Sequence, residues 1–269
     1  MIKSCSKICL SESKSTLTAK GFPVDGNPFL VHMFFQANIA PTIYAMCGRF
    51  QLSIKGKDIS ERFNTEVFDE IHKPSFNCSP TQMLPVITDL NPHKISLLHW
   101  GLVPSWTKDL RIGNKNFNCR AETINEKPSF REAFRRQRCL IPANGFYEWK
   151  TGTVKQAYRF HLKNEALFAM AGIWDSWQKP DGSYLHSFSI ITTEANTLMA
   201  SIHQRMPVIL PREIETRWVY STDSKQLLEF LKSYPSDEMA CYPVSMRVNS
   251  VMNDDENLVK PFEIAGELF

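Results

Sequence analysis

Leu167-Phe168-Ala169-Met170-Ala171-Gly172-Ile173-Trp174 and Leu185-His186-Ser187-Phe188-Ser189-Ile190-Ile191-Thr192, with Pro180-Asp181-Gly182 between them, read as two strands joined by a hairpin or short loop. Each run is apolar, carries β-branched and aromatic residues, and is bounded by turn formers. The same texture recurs at Leu84–Ile87, Ile95–Trp100, Cys139–Trp149, Ala157–Leu162 and Pro207–Leu210. Helical patterns are fewer: Lys57–Phe63, Ser129–Arg136, Glu194–Ser201 capped by Thr193, Arg212–Trp218, and Ser224–Leu231 behind Asp223. Strands predominate and helices are scattered between them, which predicts an α+β fold with a mainly antiparallel sheet. No internal repeat is visible.

The 269 residues are 43% hydrophobic, enough for a full core as one domain, or one domain with an appendage. A formal net charge of +3 permits nucleic-acid binding without demanding it. The seven cysteines, at 5, 9, 47, 78, 119, 139 and 241, form no CxxC pair, so a structural zinc site is not expected. An odd number of cysteines without a secretory signal fits a reducing compartment. The most apolar early stretch, Phe29 to Ala45, is broken by His32, Gln36, Asn38 and Pro41 and is too short to span a bilayer. A soluble, intracellular chain is expected.

Residues 1–45 lack a helical or strand period and read as a disordered leader or as sequence upstream of the true start, with the working domain at 46–269. At the junction stands Met46-Cys47-Gly48-Arg49-Phe50. A cysteine behind a removable Met carries a thiol and a free α-amine on one small frame. Together they can trap one aldehyde carbon, the amine as a Schiff base and the sulfur by closing a thiazolidine. An internal cysteine cannot, because its nitrogen is an amide. Both groups titrate close enough to neutrality to react there, the amine near ~8 and the thiol near ~8.5.

Four further segments combine polar groups and aromatics at strand ends or turns. They are Trp100-Gly101-Leu102-Val103-Pro104-Ser105-Trp106, Phe117-Asn118-Cys119-Arg120-Ala121-Glu122-Thr123, Arg138-Cys139-Leu140-Ile141-Pro142-Ala143-Asn144-Gly145-Phe146-Tyr147-Glu148-Trp149, and Ile202-His203-Gln204-Arg205-Met206-Pro207. With the Cys47 segment, these closely resemble the SRAP family, the SOS-response-associated peptidase or abasic-site processing proteins. The resemblance runs from Met46 to about Ser250. Cys119 stands where the family pattern has Ala, and Asn144 and Gln204 where it has Asp.

The resemblance implies a single domain with a barrel-like core and a positively charged cleft that captures abasic sites in single-stranded DNA, at replication forks. It implies Cys47 as nucleophile, Glu148 as general acid/base, His203 as the group that protonates the deoxyribose oxygen, and Asn118 as the side chain holding the nucleophile. Arg49, Arg120 and Arg205 become phosphate contacts and Trp106 a stacking platform for bases. The expected protein is monomeric, nucleoid-associated in the cytoplasm, and needs neither metal nor organic cofactor.

Pattern alone leaves alternatives open. Glu148, between Tyr147 and Trp149, fits a solvent-facing strand carboxylate as well as a catalytic one. The Arg131, Arg135, Arg136, Arg138 cluster reads as a solvated helix face rather than a DNA track, and Trp100 and Trp149 read as core. Cys47 and His203 with Glu148 or Asn118 could form a thiol peptidase, acting broadly or only on the Met46–Cys47 bond. A DNA-binding module without chemistry is the third reading. A Schiff base at an abasic site also permits strand-cleaving lyase activity.

Overall fold

The computed structural model describes residues 47–67, 72–150, 152, 155–164 and 166–263. The reading of residues 1–45 as a leader lies outside them. In chain order the elements are β1 (Phe50–Leu52), α1 (Gly56–Phe63), β2 (Ser75–Cys78), β3 (Met83–Thr88), β4 (Ile95–Trp100), β5 (Asn118–Arg120) and α2 (Arg131–Arg136). There follow β6 (Arg138–Ala143), β7 (Gly145–Lys150), β8 (Gln156–Leu162), β9 (Phe168–Gln178), β10 (Tyr184–Glu194) and α3 (Thr197–Ala200). The last are β11 (Arg205–Pro207), β12 (Ile209–Leu210), α4 (Arg212–Tyr220), α5 (Ser224–Glu229) and β13 (Met239–Val244).

The two runs around Pro180-Asp181-Gly182 are the antiparallel hairpin β9–β10, in register from Gln178↔Tyr184 to Gly172↔Ile190. Around this hairpin β10, β4, β3, β6 and β9 pair in a closed ring, so the sheet is a five-stranded barrel without a free edge in the ring. Closure demands close approach at Gly172, which pairs with both Cys139 and Ile190. A Cβ there would come within 2.2 Å of Ile141 Cδ1 and 2.9 Å of Cys139 Sγ. β5 and β11 extend the sheet along the far half of β10, β5 running parallel to it.

The second sheet is antiparallel, in the order β13-β8-β7-β1-β2. Its inner face shares the main core with the barrel, where Trp100 sits fully buried against Phe50, stacked on Phe188 and edge-on to Phe117. Its outer face is covered by Val244, Val248 and Leu258, packed with Tyr147 and Ala157.

The apolar run Cys139–Trp149 is therefore two strands in two sheets, and Asn144 is the crossing point. Its amide N–H donates to Gln51 O, its Oδ1 accepts from Ser53 N, and its Nδ2 donates to Ser53 Oγ. An Asn is well suited here, since its side chain both donates and accepts. The helix expected over Glu194–Ser201 shrinks to Thr197–Ala200, capped by Asn196 rather than Thr193. Thr193 and Glu194 instead continue β10 and pair with β11; the β-branched run Ile190–Thr193 prefers a strand.

Two residues depart from expectation in burial. Trp149 is only half-buried, with Lys155 over its ring. Arg131, Arg135 and Arg136 are exposed as expected, but Arg138 is 3% exposed. Its guanidinium donates to Phe134 O and Arg135 O at the end of α2, and to Trp218 O, Val219 O and Ser221 O at the end of α4. One cation thus satisfies carbonyls that two helix C-termini leave open, where the helix dipoles favour positive charge.

Replacing Arg138 by Met should lower unfolding free energy by roughly 3–5 kcal/mol, read from the denaturant midpoint, because buried carbonyls lose a charged donor. Arg138→Lys should recover only part of this, since an ammonium cannot reproduce the planar fork.

Candidate active site

Cys47 stands three residues ahead of β1, 3% exposed, with its backbone in the left-handed region at φ 42°. β1 pairs with β7 through Phe50↔Phe146, and Arg49 O accepts from Tyr147 N. That register carries Glu148 to Cys47. The Cys47 nitrogen donates to Glu148 Oε1 at 2.5 Å, and the thiol hydrogen-bonds the same carboxyl.

Glu148 is 2% exposed, so the solvent-facing alternative is wrong. Side chains alternate along β7: Phe146 and Glu148 point to the inner face, Tyr147 and Trp149 to the outer. The outer face is itself covered by the 244–259 segment, with Tyr147 Oη donating to Phe76 O. With both faces buried, polarity alternation carries no information about exposure. That is why the pattern left the question open.

Burial pushes the Glu148 carboxyl up; the positive charge of His203 and the bonds from Cys47 pull it back only in part. Burial also pushes the Cys47 thiol well up, Glu148 adds to this by charge and hydrogen bond, and Arg205 opposes it weakly. The result is a neutral thiol beside a carboxyl whose proton affinity burial has raised.

Asn118, the first residue of β5, donates from Nδ2 to Cys47 O at 3.4 Å. Parallel pairing of Ile190 with Asn118 places it there. His203 lies in the turn before β11, half-buried, and its Nδ1 lies 3.1 Å from Arg205 N. Nδ1 also lies 3.2 Å from Arg205 O, so Arg205 accommodates either neutral tautomer, its N–H donating to Nδ1 or its carbonyl accepting from it. The structure thus brings Cys47, Asn118 and Glu148 into direct contact and sets the charge of His203 within reach of Glu148.

The four residues expected to meet DNA differ in their freedom. Arg120 is exposed, and Trp106 is 59% exposed on the loop that follows β4. That loop is set by Gly101, at φ 134°, where a Cβ would fall 2.6 Å from Gly113 O, and by Ser105 N donating to Asp175 Oδ2. Arg49 is engaged inward, donating to Asn77 Oδ1, Val248 O and Asn249 O. Arg205 is held in a bidentate pair by Glu122, Nη1–Oε1 2.6 Å and Nη2–Oε2 2.9 Å, and also donates to Thr192 O. Glu122 stood inside a quoted motif without a role; its spacing from Arg205, 83 residues, offers no local signal. Among the described residues no cluster of three or more His, Cys, Asp or Glu could hold a metal ion, and no helix is long and apolar enough to cross a membrane.

A cysteine whose nitrogen and sulfur share one buried carboxyl, at the meeting of a barrel and a second sheet, defines a cysteine-centred acid–base site. Residues 46–251 match the family model described as SOS response associated peptidase (SRAP), and the chain belongs to that family. It is 45% identical over 223 residues to the abasic site processing protein YoqW of Bacillus subtilis (strain 168), covering 80% of this chain and 99% of that one. It is 31% identical over 229 residues to the abasic site processing protein HMCES of Gallus gallus, covering 72% and 68%. A crystal structure of a protein from Bacteroides thetaiotaomicron superposes with a TM-score of 0.75 at 30% identity, covering 81% of this chain and all of that one. The α+β, barrel-containing fold expected from the resemblance is the fold observed.

The buried carboxyl sets a pH dependence. A carboxyl whose folded pKa lies above its unfolded value binds more protons in the native state, so it costs stability as pH rises through that window. Glu148→Gln should therefore raise the melting temperature at neutral pH. The gain should fade as pH drops towards the unfolded carboxyl value of about 4.3. A gain that grows on acidification would contradict the assignment.

Proposed function

We propose that the protein captures abasic sites in single-stranded DNA covalently, through the α-amine and thiol of Cys47 as N-terminal residue. The observation that carries this reading is the shared contact: the Cys47 nitrogen and thiol both hydrogen-bond the buried Glu148 carboxyl. The names of the abasic site processing relatives supply the substrate class.

An abasic deoxyribose reacts as its open aldehyde. His203 protonates the ring oxygen as the ring opens. The Cys47 amine then adds to the aldehyde carbon, and Glu148 carries the two protons of that nitrogen one after the other to the former aldehyde oxygen, which leaves as water. The thiol adds to the resulting C=N carbon, and its proton passes through Glu148 to the nitrogen. One water is lost overall and no redox partner is needed. Asn118, on the Cys47 carbonyl, holds the residue still while both bonds form.

The same geometry weighs against a general thiol peptidase. Such an enzyme needs a thiolate activated by an imidazolium. Here the group on the thiol is a carboxyl, which pushes its pKa up rather than down.

A single cleavage at Met46–Cys47 is favoured by two observations. The amide nitrogen that must leave already lies on Glu148. Cys47 also holds a left-handed φ, which costs a non-glycine residue about 1–2 kcal/mol, and a terminal residue has no φ to strain. In that step the thiol attacks the Met46 carbonyl carbon, the C–N bond breaks with a proton from Glu148 to nitrogen, and water hydrolyses the thioester. The α-amine is then free.

Intact-mass spectrometry after incubation with a single-stranded oligonucleotide carrying one abasic site should show a chain beginning at Cys47, heavier by the oligonucleotide less one water. Cys47→Ala, or acetylation of the α-amine, should abolish the stable adduct. Glu148→Gln should slow its formation about 10²–10³-fold. A full-length chain that forms the same adduct with its amine blocked would sink this mechanism.

A further inference from the structure

Arg205 carries five N–H donors in one plane. Two partners fix that plane: Glu122, bidentate from the turn Ala121–Thr123, and Thr192 O on β10, 2.7 Å from Nη2. The side chain is 12% exposed, whereas Glu122 is 44% exposed. Arg205 Nε is buried and has no acceptor among the described residues. Water does not reach that atom, so what a ligand can meet is the remaining, 12% exposed part of the side chain.

The three strands β5, β10 and β11 lie side by side, with Arg120 opposite Thr192 and Glu194 opposite Arg205. Glu122 therefore ties the strand bearing Asn118 to the strand that follows His203. Partial burial alone would raise its carboxyl. The bonds from Arg205 and the charge of Arg120 outweigh that and hold it below the usual carboxylate range, so it stays ionised on the arginine.

We propose that Glu122 is a positioning residue for DNA: it locks the Arg205 guanidinium so that the part of it left exposed meets a backbone phosphate beside the abasic sugar. This rests on the aldehyde-capture reading. Its sign runs against simple electrostatics. A carboxylate near a phosphate repels it, so its removal alone should tighten DNA binding. Loss of a locked bidentate donor should instead weaken it. The His203 ring is held by the Arg205 backbone, part of β11, and does not depend on Glu122.

The test is single-turnover adduct formation by the chain starting at Cys47, over a range of concentrations of a single-stranded abasic oligonucleotide. Wild type, Glu122→Gln and Glu122→Asp are compared, with melting temperatures alongside. Glu122→Gln should raise the half-saturating concentration about tenfold with the maximal rate changed less than twofold. Glu122→Asp, which keeps the charge, should fall between the two. The exposed position of Glu122 should keep both variants folded. Unchanged or tighter half-saturation in Glu122→Gln, or a loss confined to maximal rate, would overturn the proposal while leaving aldehyde capture standing. A wild type that forms no adduct would overturn aldehyde capture, and this inference with it.

Discussion

A hydrogen bond spanning 101 residues, from the Cys47 nitrogen to Glu148 Oε1, joins the start of the domain to the centre of the second sheet. For it to form, β1 must pair with β7 in one register, since a slip of one residue would turn Glu148 to the outer face. That register is fixed at three points: Phe50↔Phe146, Gln51↔Gly145, and Tyr147 N on Arg49 O. Gly145 is itself required, because a Cβ there would come within 2.8 Å of Gln51 Oε1 and 3.0 Å of Arg159 Nε. The arrangement carries a cost. An ionisable carboxyl is kept almost dry, which favours its neutral form and opposes folding where it would otherwise be charged. Stability is given up at the one place where a proton acceptor of raised affinity has a use.

The chain compensates elsewhere with buried guanidiniums matched to neutral acceptors. Arg138 gathers carbonyls from the ends of α2 and α4. Arg159, 3% exposed on β8, donates to Gln51 Oε1, Asn144 O and Tyr242 Oη, and so pins the crossing between the two sheets. Arg49 reaches Asn77 and the carbonyls of Val248 and Asn249, and fastens the segment that covers the outer face of β7. Of these acceptors none is charged. Because a guanidinium stays protonated even when burial lowers its pKa, it serves as a fixed cross-brace where a lysine would tend to neutralise. The brace at Arg49 begins two residues from Cys47, so the same short segment supplies both nucleophile and anchor.

The elements that the sequence announced clearly were those whose signal is local. β3, β4, β8 and the β9–β10 hairpin lie on apolar runs that end at turn formers, and α1, α4 and α5 begin within a residue or two of their expected starts. What escaped was decided by distant partners. β1, β2 and β5 are three or four residues long and are strands because of what they pair with, not because of their composition. Asn144 could not be seen to divide one apolar run between two sheets, since the bonds responsible come from Gln51 and Ser53. Arg138 looked like a member of an exposed cluster until the end of α4 arrived above it. The site behaved likewise. Cys47 stood out through its own chemistry, whereas Asn118, Glu148 and His203 were placed by family resemblance, and the buried contact of Glu148 is made by Cys47, 101 residues away in sequence.

The buried thiols separate structural from chemical cysteines by their company. Cys78 and Cys119 are pushed up to about 12, chiefly by burial, and each is hydrogen-bonded only by serine or backbone groups. Among the described residues neither is hydrogen-bonded by a carboxyl, and both serve as packing atoms. Cys47 is also buried, yet its thiol faces a carboxyl whose own proton affinity has been raised by burial. A thiol that is neutral at rest is also spared from oxidation and metal capture until a carbon electrophile arrives. In the proposed capture, addition to a C=N carbon at the residue's own nitrogen needs the thiol proton delivered to that nitrogen, and Glu148 is the group that contacts both.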